Sequence, residues 1–162
     1  MSTLPQFTIL RSWALRPADE GDFASLYENC WKSHDNARHT FELALQRQRS
    51  GNAVTVVAAT TTDNMRVAFA QLSRWRSGAE ISDLIVMETW RRQGIGGQII
   101  RHLIDIARQK PLRYVEIGVE KNNTAALRLY KSCGFAEVTP DTALQSAWME
   151  PTILYLRISL RA

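Results

Sequence analysis

Cysteine is scarce in this chain, with only Cys30 and Cys133 among 162 residues. Two thiols make no disulfide framework, so the fold must rest on its hydrophobic core. Five prolines and eight glycines are too few for a collagen-like or low-complexity chain. No apolar run reaches the ~18 residues of a membrane span and no leader is apparent, so the expectation is a cytoplasmic protein with no membrane partner. His34, His39 and His102 stand apart, without cysteine or carboxylate at ligand spacing, and no metal is expected. Neither sign of charge dominates. Twenty Lys and Arg against sixteen Asp and Glu leave +4, which suits a solvated surface and an anionic ligand equally. The triplet Arg74-Trp75-Arg76 is a hint of nucleic-acid binding, but interspersed acidic residues argue against a basic face, and no nucleic-acid partner is expected.

What is present is the make-up of a folded protein, 45% apolar and 22% charged, long enough for one domain over residues 1–162. Alternating β-formers predict strands over 7–15, 53–60, 66–75, 80–87, 113–119, 135–139 and 153–160. Apolar residues at spacings of three and four predict helices over 19–32, 36–49, 95–108 and 124–133. Cys133 falls on the apolar side of the last helix and is expected to be a buried free thiol. The order βααβββαβαββ implies a mixed α/β sheet with helices on both faces, and a parallel, right-handed strand–helix–strand unit over 81–119.

The stretch Arg91-Arg92-Gln93-Gly94-Ile95-Gly96-Gly97 lies between an apolar strand, Ile81 to Met87, and an amphipathic helix. A strand that turns through glycines into a helix leaves backbone N–H groups unpaired at the positive end of the helix dipole, a setting for a diphosphate. Position 99 is Ile99, which departs from the dinucleotide fingerprint, and no Gly-Lys-Ser/Thr follows as in a Walker loop. A plain tight turn is the alternative.

A second segment, Asn123-x-x-Ala126-x-x-Leu129-Tyr130-x-x-x-Gly134-Phe135, follows one strand later. Together with Arg91-x-x-Gly94-x-Gly96, it resembles the GNAT superfamily of acetyl-CoA-dependent N-acetyltransferases, most closely over residues 53–139. The resemblance implies a mostly antiparallel sheet of six to seven strands, about four helices, and a splayed central pair of parallel strands. It also implies acetyl-CoA as co-substrate. Its pantetheine arm would lie against backbone groups of Leu84, Ile85 and Val86, and its pyrophosphate against Arg92, Gln93, Gly94, Ile95, Gly96 and Gly97. Arg91 and Arg92 would add charge, and Asn123 would touch the arm unless it serves only as a helix cap.

Acetyl transfer to an amine needs a deprotonated amine and a proton for the departing thiolate. Tyr130 matches the family's position for that acid, and a placed phenol suits the task. Its alternative is a core tyrosine. Glu80 matches by offset the general base of histone-acetylating members. Asp83 and Glu120 are further carboxylates near the splay, and a water chain would serve in place of any single base. The acceptor amine would be read by the first helices and the loop over 140–152, with Trp31, His34, Asp35, Glu120 and Trp148 as candidate contacts, unless the tryptophans simply pack. A small-molecule amine such as an amino acid, polyamine or aminoglycoside-like compound is expected. A protein N-terminus or lysine is the alternative, as is a non-catalytic acyl-CoA sensor. The family resemblance also makes a homodimer an expectation.

Overall fold

Alternating apolar residues in the central strands and long apolar stripes on the helices build one mixed sheet with helices on both faces. The computed structural model describes residues 12–75, 77–138 and 152–161. Its strands are β1 (Trp13–Arg16), β2 (Ala53–Thr60), β3 (Arg66–Trp75), β4 (Gly78–Val86), β5 (Tyr114–Glu120), β6 (Ala136–Glu137) and β7 (Ile153–Ser159). They lie in the order β1-β2-β3-β4-β5-β7-β6. All neighbours are antiparallel except β4 and β5. The helices are α1 (Phe23–Leu26), α2 (Ala37–Arg49), α3 (Ile95–Arg108) and α4 (Thr124–Ser132). The expected mostly antiparallel sheet with a central parallel pair is therefore present.

One face packs on α3 and α4, where Ile81, Ile95, Ile99, Ile100, Leu103 and Ile117 are buried together. The other face packs on α1 and α2 through Leu26, Trp31, Phe41, Leu45, Val57 and Phe69. Successive residues of a strand point to opposite faces, so Ile81 faces α3 and α4 while its neighbour Glu80 faces the other side.

The expected helix over 19–32 is not one regular helix. It is a 3-10 turn (Glu20–Asp22), the α-helical turn α1, and a π-helical turn (Tyr27–Trp31). The Asp19 capping box sets the first turn. Asn29 Nδ2 donates to the Arg66 carbonyl at 2.8 Å, and Ser25 Oγ accepts from Arg66 N at 3.1 Å, which ties the segment to β3. The extra residue of a π-turn rotates the helix face, and Trp31 points into the core. The last short strand is also briefer than expected: β6 spans two residues. Cys133 caps α4 and is half-buried rather than buried. The expected strand residues 7–11 and most of the loop over 140–152 lie outside the described residues.

Candidate active site

The parallel ladder is short. Ala79–Ile81 pair with Val115–Ile117, although β4 runs on to Val86 and β5 to Glu120. Beyond Ile81 the strands part. A bulge in β4 accompanies the parting: Phe69 pairs with Ile85 and Gln71 with Ser82, so Asp83 and Leu84 together oppose Ala70. Such a bulge bends its strand. Asp83 sits at φ 56°, a conformation uncommon without glycine, and its carboxylate accepts a hydrogen bond from Gln71 Nε2. Leu84 and Val86 pack toward α3 and α4, and Ile85 toward α1 and α2. The result is an open wedge between two strand edges, where an extended chain can take main-chain hydrogen bonds.

The glycine turn lies at the wide end of that wedge. A 3-10 turn not anticipated from the sequence (Glu88–Trp90) leads into it. Arg92 takes φ 62° and Gly94 φ 92°. Gly94 is the N-cap of α3 and makes no side-chain cap, so the first-turn amides lack intrahelical partners. Gly94 is needed for its backbone conformation. Gly96 lets α4 approach closely, since a Cβ there would stand 3.2 Å from Leu129 Cδ2, tighter than an ordinary contact. Arg91 folds back and donates from Nε to the Val86 carbonyl at 3.0 Å. That contact occupies one of the backbone acceptors expected to meet the pantetheine arm. Arg92 and Gln93 are exposed.

Tyr130 is buried on the α3 and α4 face, its ring centroid 6.4 Å from that of Phe135. Burial, with Cys133 adding to it, pushes the phenol pKa up, so the hydroxyl keeps its proton at neutral pH. Glu80 is half-buried on the opposite face, in register with Glu116 of β5 and Ser73 of β3. Burial, then the charges of Glu116 and Asp83, raise its pKa, with Arg47 acting against them. Tyr130 and Glu80 thus lie on opposite faces of the sheet, a protonated phenol on one and a carboxyl of raised proton affinity on the other. Asn123 acts as the N-cap of α4, its Oδ1 accepting from Ala126 N at 3.1 Å. Glu120 is exposed at the end of β5.

One candidate on the acceptor side takes its packing alternative. Trp31 is 2% exposed and packs edge-on against Phe41 and Phe69, with centroids at 6.0 and 5.0 Å. It belongs to the core and offers no surface to a ligand. Trp148 lies outside the described residues. Asp35 and His34 are exposed and line a groove with Tyr27 and Lys32. Cys30 faces the turn region, and burial pushes its thiol up to about 11, against the charge of Arg91 and a Met87 backbone hydrogen bond. A thiol of that pKa is protonated at neutral pH and is a poor nucleophile. Among the described residues no group of three His, Cys, Asp or Glu side chains is placed to hold a metal, and no helix is long and apolar enough to cross a membrane.

The sequence reading missed a row of charged residues beside Glu80. Glu116 is buried, and Arg157 of β7, its register partner, donates from Nε to Glu116 Oε1 at 2.9 Å. The signal was available, since a lone carboxylate interrupts the apolar run from Tyr114 to Val119.

A sheet parted at its central parallel pair, with a glycine-capped helix beside the opening, is the architecture of acetyl-CoA-dependent acetyltransferases. Residues 20–135 match the acetyltransferase (GNAT) family, and the chain belongs to that family. It is similar to an N-acetyltransferase of Methanocaldococcus jannaschii, 26% identical over 144 residues that cover 81% of this chain and 64% of that protein. It is also similar to the [ribosomal protein bS18]-alanine N-acetyltransferase of Escherichia coli, 32% identical over 79 residues, or 49% of this chain and 53% of that protein. The chain therefore matches about half to two-thirds of the length of these curated relatives. An acetyltransferase from Salmonella typhimurium, solved with its cofactor acetyl-CoA, shares the fold with a TM-score of 0.71 at 21% identity, covering 92% of this chain and 94% of that one.

Proposed function

We propose that this protein is an N-acetyltransferase that moves the acetyl group of acetyl-CoA directly to a primary amine of a small molecule. The observation that carries this reading is the parting of β4 from β5 beyond Ile81, beside the glycine-capped start of α3. Acetyl-CoA supplies the acetyl group already activated as a thioester. Backbone groups around Leu84 and Ile85 would hold its extended arm, and the first-turn amides of α3, with Arg92, its diphosphate.

Glu80 takes a proton from the incoming ammonium group, which frees the nitrogen lone pair. The nitrogen forms a bond to the acetyl carbon, the carbon–sulfur bond breaks, and the nitrogen sheds its second proton to solvent to leave the neutral amide. Tyr130 then gives its proton to the departing sulfur and recovers one from solvent. Holding both partners across the wedge makes the step intramolecular in effect. The protonated thiol of Cys30 supports direct transfer over a covalent enzyme intermediate. The carboxylates of Glu80 and Asp83 favour a cationic acceptor.

A protein N-terminus is the second reading, favoured by the relative that acts on a ribosomal-protein alanine. Thiol release from acetyl-CoA, measured over amino acids, polyamines, aminoglycosides and an alanine-led peptide, separates the two. Turnover of the peptide alone would replace the small-molecule reading, and cofactor binding with no turnover of any amine would make the protein a sensor. In the same assay, Glu80→Gln lowers kcat/KM about 100-fold, the low end of the range for a positioned base. The wild-type rate rises with pH through a limb above the ordinary carboxylate range, because only ionised Glu80 accepts a proton, and the variant loses that limb. Gly94→Val strains a left-handed position by roughly 1–3 kcal/mol, so CoA binding measured by calorimetry weakens about tenfold or more. An unchanged Kd would show that the turn does not hold the cofactor.

A further inference from the structure

Three strands place a row of charged residues on the face of the sheet that carries Glu80. Glu80 of β4 is in register with Glu116 of β5, and Glu116 is in register with Arg157 of β7. Residues paired across neighbouring strands share a face, so the two carboxylates stand side by side. They are not equivalent. Arg157 donates Nε and Nη2 to the same oxygen of Glu116, and its guanidinium lies 4.0 Å from the Tyr114 ring centroid. Gly78 leaves the space this ring fills, since a Cβ there would collide with it. The arginine is thus held by an aromatic ring below and a carboxylate in front, a geometry an exposed surface pair lacks.

We propose that Arg157 is a positioning residue for proton acceptance by Glu80: by clamping the Glu116 carboxylate, it leaves Glu80 as the carboxylate of the aligned pair that takes the substrate's proton. The proposal rests on the acetyltransferase reading given above and deepens it. Two neighbouring carboxylates without a cation would share one proton. With Arg157 in place, Glu116 is engaged and acts on Glu80 only as a negative charge that raises its proton affinity. The other charged groups acting on Glu80 are Asp83 on its own strand and Arg47 on α2. Glu80 accepts one proton at its carboxylate in the forward step and releases it to solvent afterwards, so the pair ends each turnover as it began.

The test is the pH dependence of kcat/KM, together with direct titration of Glu80 by carbon-13 NMR of the labelled carboxyl. Glu116→Gln removes the like charge and moves the Glu80 titration and the acid limb down by about one pH unit. Arg157→Gln removes the cation and moves both up by about one unit. Arg157→Lys keeps the charge and leaves the limb near its wild-type position. Opposite shifts support the proposal. Shifts of the same sign, or loss of rate with no shift, overturn it and leave the row a structural brace. Should Arg157→Gln fail to fold, Glu116→Gln and Arg157→Lys decide alone, the first by a downward shift and the second by none. Failure of Glu80 as the base is a separate outcome: Glu80→Gln would then keep the wild-type rate, while the NMR titration of Glu80 would still report the clamp.

Discussion

Tyr130→Phe lowers kcat by about 100- to 10,000-fold, the range removed when a positioned general acid is lost. The substitution deletes one oxygen from a buried ring and leaves the contact with Phe135 in place, so no cavity opens and stability changes little. CoA binding stays close to wild type, because the phenol acts on the departing sulfur rather than on the diphosphate. The loss falls on kcat, with little change in the KM for the amine. The decisive comparison uses an acetyl thioester whose thiol is more acidic than that of CoA. Such a leaving group departs without a proton, so the variant recovers most of its rate with it. Burial raises the phenol pKa, so the wild-type enzyme keeps this proton through neutral pH and loses activity only at strongly alkaline pH. A variant within a few-fold of wild type on acetyl-CoA would remove Tyr130 from the chemistry and return it to the core.

The parts of the site legible in the sequence are those written in local periodicity. The glycine turn stood out because a strand pattern gives way to a helical one across it, and Gly94 does take the left-handed conformation that a helix start there requires. The bulge at Asp83 left no such mark: no glycine or proline stands at it, and it depends on Gln71 of the neighbouring strand. Trp31 was ambiguous for a related reason. A regular helix over 19–32 leaves its direction open, and the π-turn that buries it is anchored by Asn29 reaching a carbonyl 37 residues away. The Glu116–Arg157 pair is 41 residues apart, so it becomes visible only once β7 is placed beside β5. The closeness of Gly96 to Leu129 was not legible either, because that neighbour comes from a helix whose approach cannot be read from a single turn.

Asp22 carries the largest stability effect outside the site. Its side chain is fully buried. Arg16 donates to both its oxygens, at 2.8 and 2.6 Å, Arg66 Nε donates at 2.7 Å, and Asp19 N at 2.8 Å. Burial alone would raise the carboxyl pKa, but the hydrogen bonds from Arg16, Arg66 and the Asp19 backbone outweigh it and hold the pKa below its ordinary value. Asp22→Asn therefore destabilises the fold by about 3 kcal/mol at pH 7, toward the low end for a broken buried pair because both guanidiniums keep an exposed flank. The sign with pH follows from linkage. A carboxyl with a lowered folded-state pKa stabilises fully above its unfolded value of about 3.9, and that stability is lost as pH falls through the folded value. Wild type therefore loses stability steeply below about pH 4, while the variant starts lower and falls less, and urea titrations at pH 7 and pH 3 measure both slopes. Equal slopes, or a variant within about 0.5 kcal/mol of wild type at pH 7, would mean the cluster is no more than a surface ion pair. The consequence reaches the site through the chain itself. Asp22 joins β1, β3 and the first helical segment, and the π-turn at the end of that segment carries Cys30, whose hydrogen bond to Met87 sets it against the start of the glycine turn. Loosening the cluster thus loosens one wall of the turn, and CoA affinity falls in Asp22→Asn even at temperatures where the protein remains folded.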